Sequence, residues 1–160
     1  MLHKNAGFTL VEMIVVLVVL AIITMAVIPG FGNLISKNQR VADVNLLVSS
    51  LNFARTEAIK RGNNVTFSTD GGLGSGWCVH SGDASNDCAS DQIRSFQSSG
   101  NMTFTETASD IVFDRRGFLV PQAAQSFQIY PDDCPSGDPD LRIIRVSPVG
   151  RTELDDGVCP

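Results

Sequence analysis

Residues 8–28 form an apolar run of twenty-one positions whose only charge is Glu12, and the run stands directly behind a short polar head, with Lys4, that ends at Gly7. As a helix rising about 1.5 Å per residue it is roughly 30 Å long, the thickness of a bilayer's hydrocarbon core. A secretory signal carries its small-residue cleavage site after the apolar stretch. Here the small residues Ala6 and Gly7 precede Phe8, so a cut at Gly7/Phe8 leaves the hydrophobic helix on the mature chain. Glu12 narrows the reading further. A carboxylate inside a membrane helix costs about 2.5–3.5 kcal/mol on insertion scales, and a lone helix offers nothing to neutralise it. Either the charge snorkels from a plain single-pass anchor, or the helix is built to meet a partner.

Beyond Ile28 the chain changes character. Pro29-Gly30 removes a backbone hydrogen bond and predicts a bend rather than a stop, because helical periodicity resumes after it. Leu34, Ile35, Val41, Val44, Leu47, Val48, Leu51, Ala54 and Ala58 carry that periodicity, and from Val44 onward it is the stripe of a helix lying on a core. Lys37, Gln39, Arg40, Asn45, Asn52 and Glu57 are assigned to the opposite face. Lys60-Arg61 followed by Gly62-Asn63 reads as a helix C-terminus and its cap. One helix is therefore predicted from Phe8 to Arg61, with a membrane half over residues 8–28 and an amphipathic half over 29–62.

Residues 63–160 are about a hundred positions, able to bury a modest core. Short runs bounded by Gly, Ser, Asn and Asp mark nine strands: Val65–Thr69, Gly76–His80, Ile93–Gln97, Met102–Glu106, Ile111–Asp114, Phe118–Val120, Ser126–Tyr130, Leu141–Ser147 and Arg151–Leu154. Turn signals such as Asp70-Gly71-Gly72, Arg116-Gly117 and Pro148-Val149-Gly150 separate them. The predicted class is α+β, a long N-terminal helix packed on an antiparallel β-sheet domain.

The four cysteines, Cys78, Cys88, Cys134 and Cys159, all lie beyond the apolar run. An even count in a small exported domain favours disulfides. Three connectivities are open; the local one, Cys78–Cys88 with Cys134–Cys159, closes loops worth roughly 3 kcal/mol each in the chain-entropy model. No pair has structural-zinc spacing and neither histidine lies between two cysteines, so no metal is assigned. Catalysis finds little support: there is no Gly-x-Ser-x-Gly elbow and no phosphate loop, and His80 is the one histidine that remains if the head is removed. No cofactor is implied. A net charge of −5 is not that of a bulk electrostatic nucleic-acid binder.

Several residues admit a sharp and a plain reading. Arg55 and Glu57 are either a recognition pair for a neighbour or a solvated helix face. Trp77, the single tryptophan, is either an exposed contact or a large core side chain under the helix. Asp132, Asp133, Asp138 and Asp140 either gather around calcium or mark a solvated turn.

The leader Gly7-Phe8-Thr9-Leu10-Val11-Glu12 resembles the processing site of type IV prepilins. The helix end Ala54-Arg55-Thr56-Glu57-Ala58, then Gly76-Trp77-Cys78-Val79, Ile111-Val112-Phe113 with Gly117, and the closing Ile143-Ile144-Arg145-Val146-Ser147-Pro148-Val149-Gly150-Arg151, narrow the resemblance. Together they are similar to the GspH/FimT branch of type IV pilins and type II secretion pseudopilins, over nearly the whole chain. The resemblance implies a pilin fold and an assembly role. A leader peptidase would cut residues 1–7 away and methylate the new amine of Phe8. Glu12 would pair with the N-terminal amine of a neighbouring subunit, and Pro29 would fall where pilin helices bend. The partners implied are other minor and major pilins, the prepilin peptidase and the inner-membrane assembly platform. The mature chain would be single-pass in the inner membrane with residues 63–160 in the periplasm, before passing into a filament.

Within that branch the reading is a minor pilin that helps prime assembly at or near the pilus tip, with a secretion pseudopilin and a DNA-binding minor pilin as alternatives. DNA-uptake members are thought to use a Gly-Arg-x-Arg type motif. Here Gly150-Arg151-Thr152-Glu153 places an acid where the second arginine would stand, which leaves Arg151 as a weak DNA contact at most.

Overall fold

In the computed structural model the described residues are 8–69, 71–83, 88–89, 91–100 and 102–160, with backbone alone at 25–34 and 36. Among the described residues an α-helix, α1 (Leu10–Arg61), is followed by β1 (Val65–Thr69), a 3-10 turn (Leu73–Ser75), β2 (Trp77–Ser81), β3 (Gln92–Phe96), β4 (Met102–Glu106), β5 (Asp110–Phe113), β6 (Leu119–Val120), β7 (Gln125–Pro131), β8 (Leu141–Val146) and β9 (Thr152–Gly157). The chain divides into two compact units, Met1–Lys37 and Asn38–Pro160.

In the first unit, α1 begins with a side-chain cap. Thr9 Oγ1 accepts from the Glu12 backbone N–H at 3.3 Å, which places the Thr-x-x-Glu spacing of a capping box at the helix start. Helical backbone continues without a break through Pro29 and Gly30. From Phe8 to Ile23 every large apolar side chain is exposed by about half or more, Val16 least at 47% and Phe8 most at 78%.

The second unit is built on the stripe that the periodicity marks. Val44, Leu47, Leu51, Ala54 and Ala58 are all buried, and they share one hydrophobic core with Val65, Phe67, Trp77, Phe113, Phe127 and Ile144. That core lies among α1 and two antiparallel sheets, ordered β3-β2-β1-β5-β6 and β4-β7-β8-β9. The inward alternation of β7 (Phe127, Ile129) and β8 (Ile144, Val146) supplies one wall. Phe67 joins the two sheets by meeting Phe127 edge-on at 5.9 Å between centroids, and within the first sheet Trp77 stacks on its cross-strand neighbour Phe96 at 6.2 Å. Trp77 is a core side chain, for the indole is buried and its Nε1–H donates to Ser50 Oγ of α1 at 2.8 Å.

Two residues assigned to the polar face of α1 are instead buried. Arg40 is drawn against the loop between β7 and β8 by an ion pair with Asp140 and a 3.1 Å bond to the Asp140 carbonyl. Glu57 is covered by the Arg61 guanidinium at 2.6 Å and by Lys60 at 3.4 Å. Periodicity cannot anticipate either, because the covering group comes from tertiary contact or from a long side chain folding back. The last strand also runs further than its composition predicts, to Gly157. Opposite it, Arg142 pairs with Asp156 and Arg145 with Asp155, so the cross-strand cations carry two acidic residues into the ladder.

Both local disulfides are present, Cys78–Cys88 and Cys134–Cys159, with Cα separations of 5.7 and 6.0 Å. Leu51 is fully buried where the helix stripe meets the sheets. Leu51→Ala should lower the unfolding free energy of the purified protein by about 2–5 kcal/mol in urea titration, the range for truncating a core leucine.

Candidate assembly site

The first turn of α1 holds the residues that the leader reading singles out. Gly7 lies outside the described residues, and so does the whole of the head. Phe8 and Glu12 are both exposed, and among the described residues Glu12 has no ion-pair partner. It occupies the first turn of the helix, where free backbone N–H groups and the macrodipole favour a carboxylate. The arrangement therefore presents an acceptor at the rim of an otherwise apolar cylinder. Among the described residues no helix is long and apolar enough to cross a membrane; the described side chains of the apolar run end at Thr24. Pro29 lies in the helical backbone, and its side chain is outside the described set.

At the far end of α1, Arg55 and Glu57 follow neither reading. Arg55 is half-buried and its Nε–H donates to the Gly117 carbonyl at 3.1 Å, tying the helix to the turn between β5 and β6. Gly117 is confined by that contact, because a Cβ there would stand 2.9 Å from both Arg55 Nε and Ile59 Cδ1. Gly150, at φ +75°, presses on the same place: a Cβ would overlap the Gly117 carbonyl oxygen. The two turns thus meet backbone-to-backbone, and the Arg55 side chain of the helix packs against both. The 114–118 turn is fastened separately, since Asp114 accepts from the backbone N–H groups of Phe118 at 2.9 Å and Arg116 at 2.8 Å. Those bonds hold its carboxyl below the usual range. The Arg61 hydrogen bond does the same for Glu57.

Two buried polar groups escaped the sequence reading. Asp43 of α1 accepts from Ser99 N at 3.1 Å, from Ser99 Oγ at 2.7 Å and from Ser98 Oγ at 3.1 Å, and so organises the turn before β4. Ser68 Oγ lies 2.9 Å from His80 Nε2 and donates to Asp110 Oδ1 at 2.5 Å, across three adjacent strands. The serine hydroxyl bridges the other two and all lie within the sheet, which is a structural ladder rather than a nucleophile with its base. Period-two alternation places Ser68, His80 and Asp110 on one face only once the pairing of β1 with β2 and β5 is known.

The aspartates of the 131–140 loop do not converge. Asp140 binds Arg40 and Asp132 accepts from Thr103 Oγ1 at 2.7 Å; among the described residues no group of three or more metal-ligating side chains occurs. Arg151 is exposed and lies 3.4 Å from Glu153, while Arg142 and Arg145 are engaged by Asp156 and Asp155. The basic side chains of the closing strands are thus each met by an acid.

The family model described as Type II transport protein GspH matches residues 43–150, from the buried Asp43 of α1 to the crowded Gly150. The chain belongs to the GspH family. A second model, the prokaryotic N-terminal methylation motif, matches residues 2–28. The fold of this GspH-family protein is that of the type IV minor pilin FimU of Pseudomonas aeruginosa (strain PAO1). One crystal form of FimU superposes with a TM-score of 0.63 at 24% identity, covering 75% of this chain and 90% of FimU. A second form gives 0.59 at 24% identity, covering 71% and 90%. No curated protein matches the chain. Family and fold are those of pilin and pseudopilin subunits, which are structural proteins.

Two outcomes are expected from this geometry. Gly150→Ala should destabilise the GspH-family unit by about 1–3 kcal/mol through left-handed strain alone, with the Gly117 overlap adding to it, read as a lowered urea midpoint. Glu106 behaves oppositely to Asp114 and Glu57. Burial pushes its carboxyl up, the Thr69 hydroxyl at 3.2 Å opposes this, Asp110 adds repulsion, and its Oε2 is buried without a hydrogen-bond partner. A raised folded-state pKa stabilises below the unfolded value, and that contribution is lost as pH rises through the folded one. Glu106→Gln should therefore gain stability over wild type as pH rises above about 4. An advantage that shrinks as pH rises would contradict the assignment.

Proposed function

We propose that this protein is a low-abundance type IV pilin that helps prime pilus assembly and enters the filament at or near its tip. The observation that carries the proposal is the apolar cylinder of α1, exposed from Phe8 to Ile23, with one unpaired carboxylate in its first turn. A surface of that kind is satisfied by lipid while the subunit waits and by neighbouring helices once it polymerises. Cleavage at Gly7/Phe8 and methylation of the new amine would place a cation in reach of the Glu12 of an adjacent subunit. The pair then removes an uncompensated charge from the apolar bundle, which fixes register as well as driving entry. In this reading residues 8–28 anchor the mature chain in the inner membrane, Pro29 bends the helix beyond it, and residues 63–160 stand in the periplasm. The prepilin peptidase, the assembly platform and other pilins are its partners.

A second reading, a pseudopilin of the type II secretion pseudopilus, is favoured by the description of the matching family model. The two are separated by one genetic experiment. The gene is deleted in a strain that also lacks the retraction motor, then complemented with wild type or with Glu12→Ala. Loss of surface pili, restored by wild type alone, supports pilus priming, with Glu12→Ala reaching the membrane but not sheared filaments. Normal pili together with failed protein secretion would instead establish the pseudopilin.

A further inference from the structure

Beside the second sheet, within the unit Asn38–Pro160, lies a groove of about 340 Å³. Arg40, Val41 and Val44 of α1 line one side, Arg142 of β8 and Leu154 and Asp156 of β9 the other. We propose that this groove receives an extended segment of a neighbouring subunit that carries a carboxylate next to an aliphatic side chain. The proposal rests on the filament-subunit reading and adds the chemistry of one contact to it.

Three observations on different residues converge. The first is Arg40. Its side chain is only 7% exposed; Nη1 is committed to the carboxylate and carbonyl of Asp140, while Nε–H is buried with no acceptor among the described residues. An unsatisfied donor on a buried cation is costly, and what it lacks is an oxygen acceptor, with a carboxylate matching the guanidinium fork best. The second is Arg142, whose partner Asp156 has a side chain 77% exposed. A pair so solvated contributes little, so an incoming carboxylate can displace Asp156 and keep the cation satisfied. The third is the wall. Val41 and Leu154 are each about half exposed, at 52% and 51%, so two aliphatic side chains flank the cations and remain wet in the single chain.

The shape of the occupant is set by the strand order. β9 is the outer strand of its sheet, and among the described residues its outer backbone edge is unpaired. An extended chain can lie along such an edge with alternate side chains in the groove. A long polyanion such as nucleic acid fits poorly, because Glu153, Asp155 and Asp156 stand along the same strand and repel its successive phosphates.

The test uses the full-length chain in the assembling strain. A photo-crosslinking residue replaces Val41 or, separately, Leu154, and the adduct is mapped by peptide mass spectrometry. Arg142→Glu and Arg142→Lys are compared in the same background; both change a side chain outside the hydrophobic core. The expected result is a crosslink to a neighbouring subunit at an Asp or Glu beside an aliphatic residue. Its yield should fall about ten-fold or more in Arg142→Glu and be largely retained in Arg142→Lys. Adducts on segments without acidic residues, or a yield indifferent to Arg142→Glu, would overturn the proposal. A chain that enters sheared filaments yet forms no groove crosslink overturns this inference alone. A chain absent from both filaments and secretion assemblies overturns the functional reading, and this contact with it.

Discussion

The packing of one helical stripe against the paired aromatics of two sheets is the constraint on which the second unit depends. Leu47, Leu51, Ala54 and Ala58 are fully buried, and beneath them Phe67 and Trp77 close the space between the sheets. Alanine at the last two positions lets the helix approach closely, while the Trp77–Ser50 hydrogen bond fixes where along the helix the sheets register. A stripe of this kind removes apolar area from water at about 25 cal/mol per Å² without directional demands. Orientation therefore has to come from the polar ties around it: Asp43 to the turn before β4, Arg40 to Asp140, and Arg55 to Gly117. Non-directional burial supplies the energy and a few buried polar contacts choose the arrangement.

The two parts of α1 obey different solvents. From Val44 onward one face is buried and the helix is stabilised by its own globular unit. Before Thr24 the apolar side chains are exposed all round, and the chain contains nothing that covers them among the described residues. A helix apolar on every face is stable only inside lipid or among other helices. Glu12 sets a further condition on the host, because a carboxylate among apolar side chains is costly wherever nothing neutralises it. Meanwhile its place beside the Thr9 cap gives the carboxylate a favourable position in the helix's own dipole.

Legibility varies with the range of the physical signal. The start and end of β1 and β4 and the end of α1 are visible in the sequence, because hydrophobic period, turn residues and the Gly62 cap act over a few positions. Its size makes Trp77 a candidate for the core, and the contact with Ser50 of α1 decides it. Arg40, Glu57 and Arg55 read in the sequence as solvated or partner-facing, yet Arg40 and Arg55 are engaged by groups that only folding brings near, and Glu57 is covered by Lys60 and Arg61 of its own helix folding back over it. The Ser68–His80–Asp110 ladder and the Asp43 turn joint are invisible for the same reason, with sequence separations of 12 to 56 residues.

By itself the sequence determined that an apolar helix with a single early carboxylate precedes an amphipathic continuation and nine short strands. It did so because helix length, side-chain period and turn chemistry are local properties of the chain. Tertiary structure alone decided that the strands divide five and four between two sheets. It also decided that the cysteines pair locally and that Arg40 is buried with one donor unsatisfied beside an open groove. Those outcomes depend on which distant groups share a face, and that is set by the competition to bury one common core.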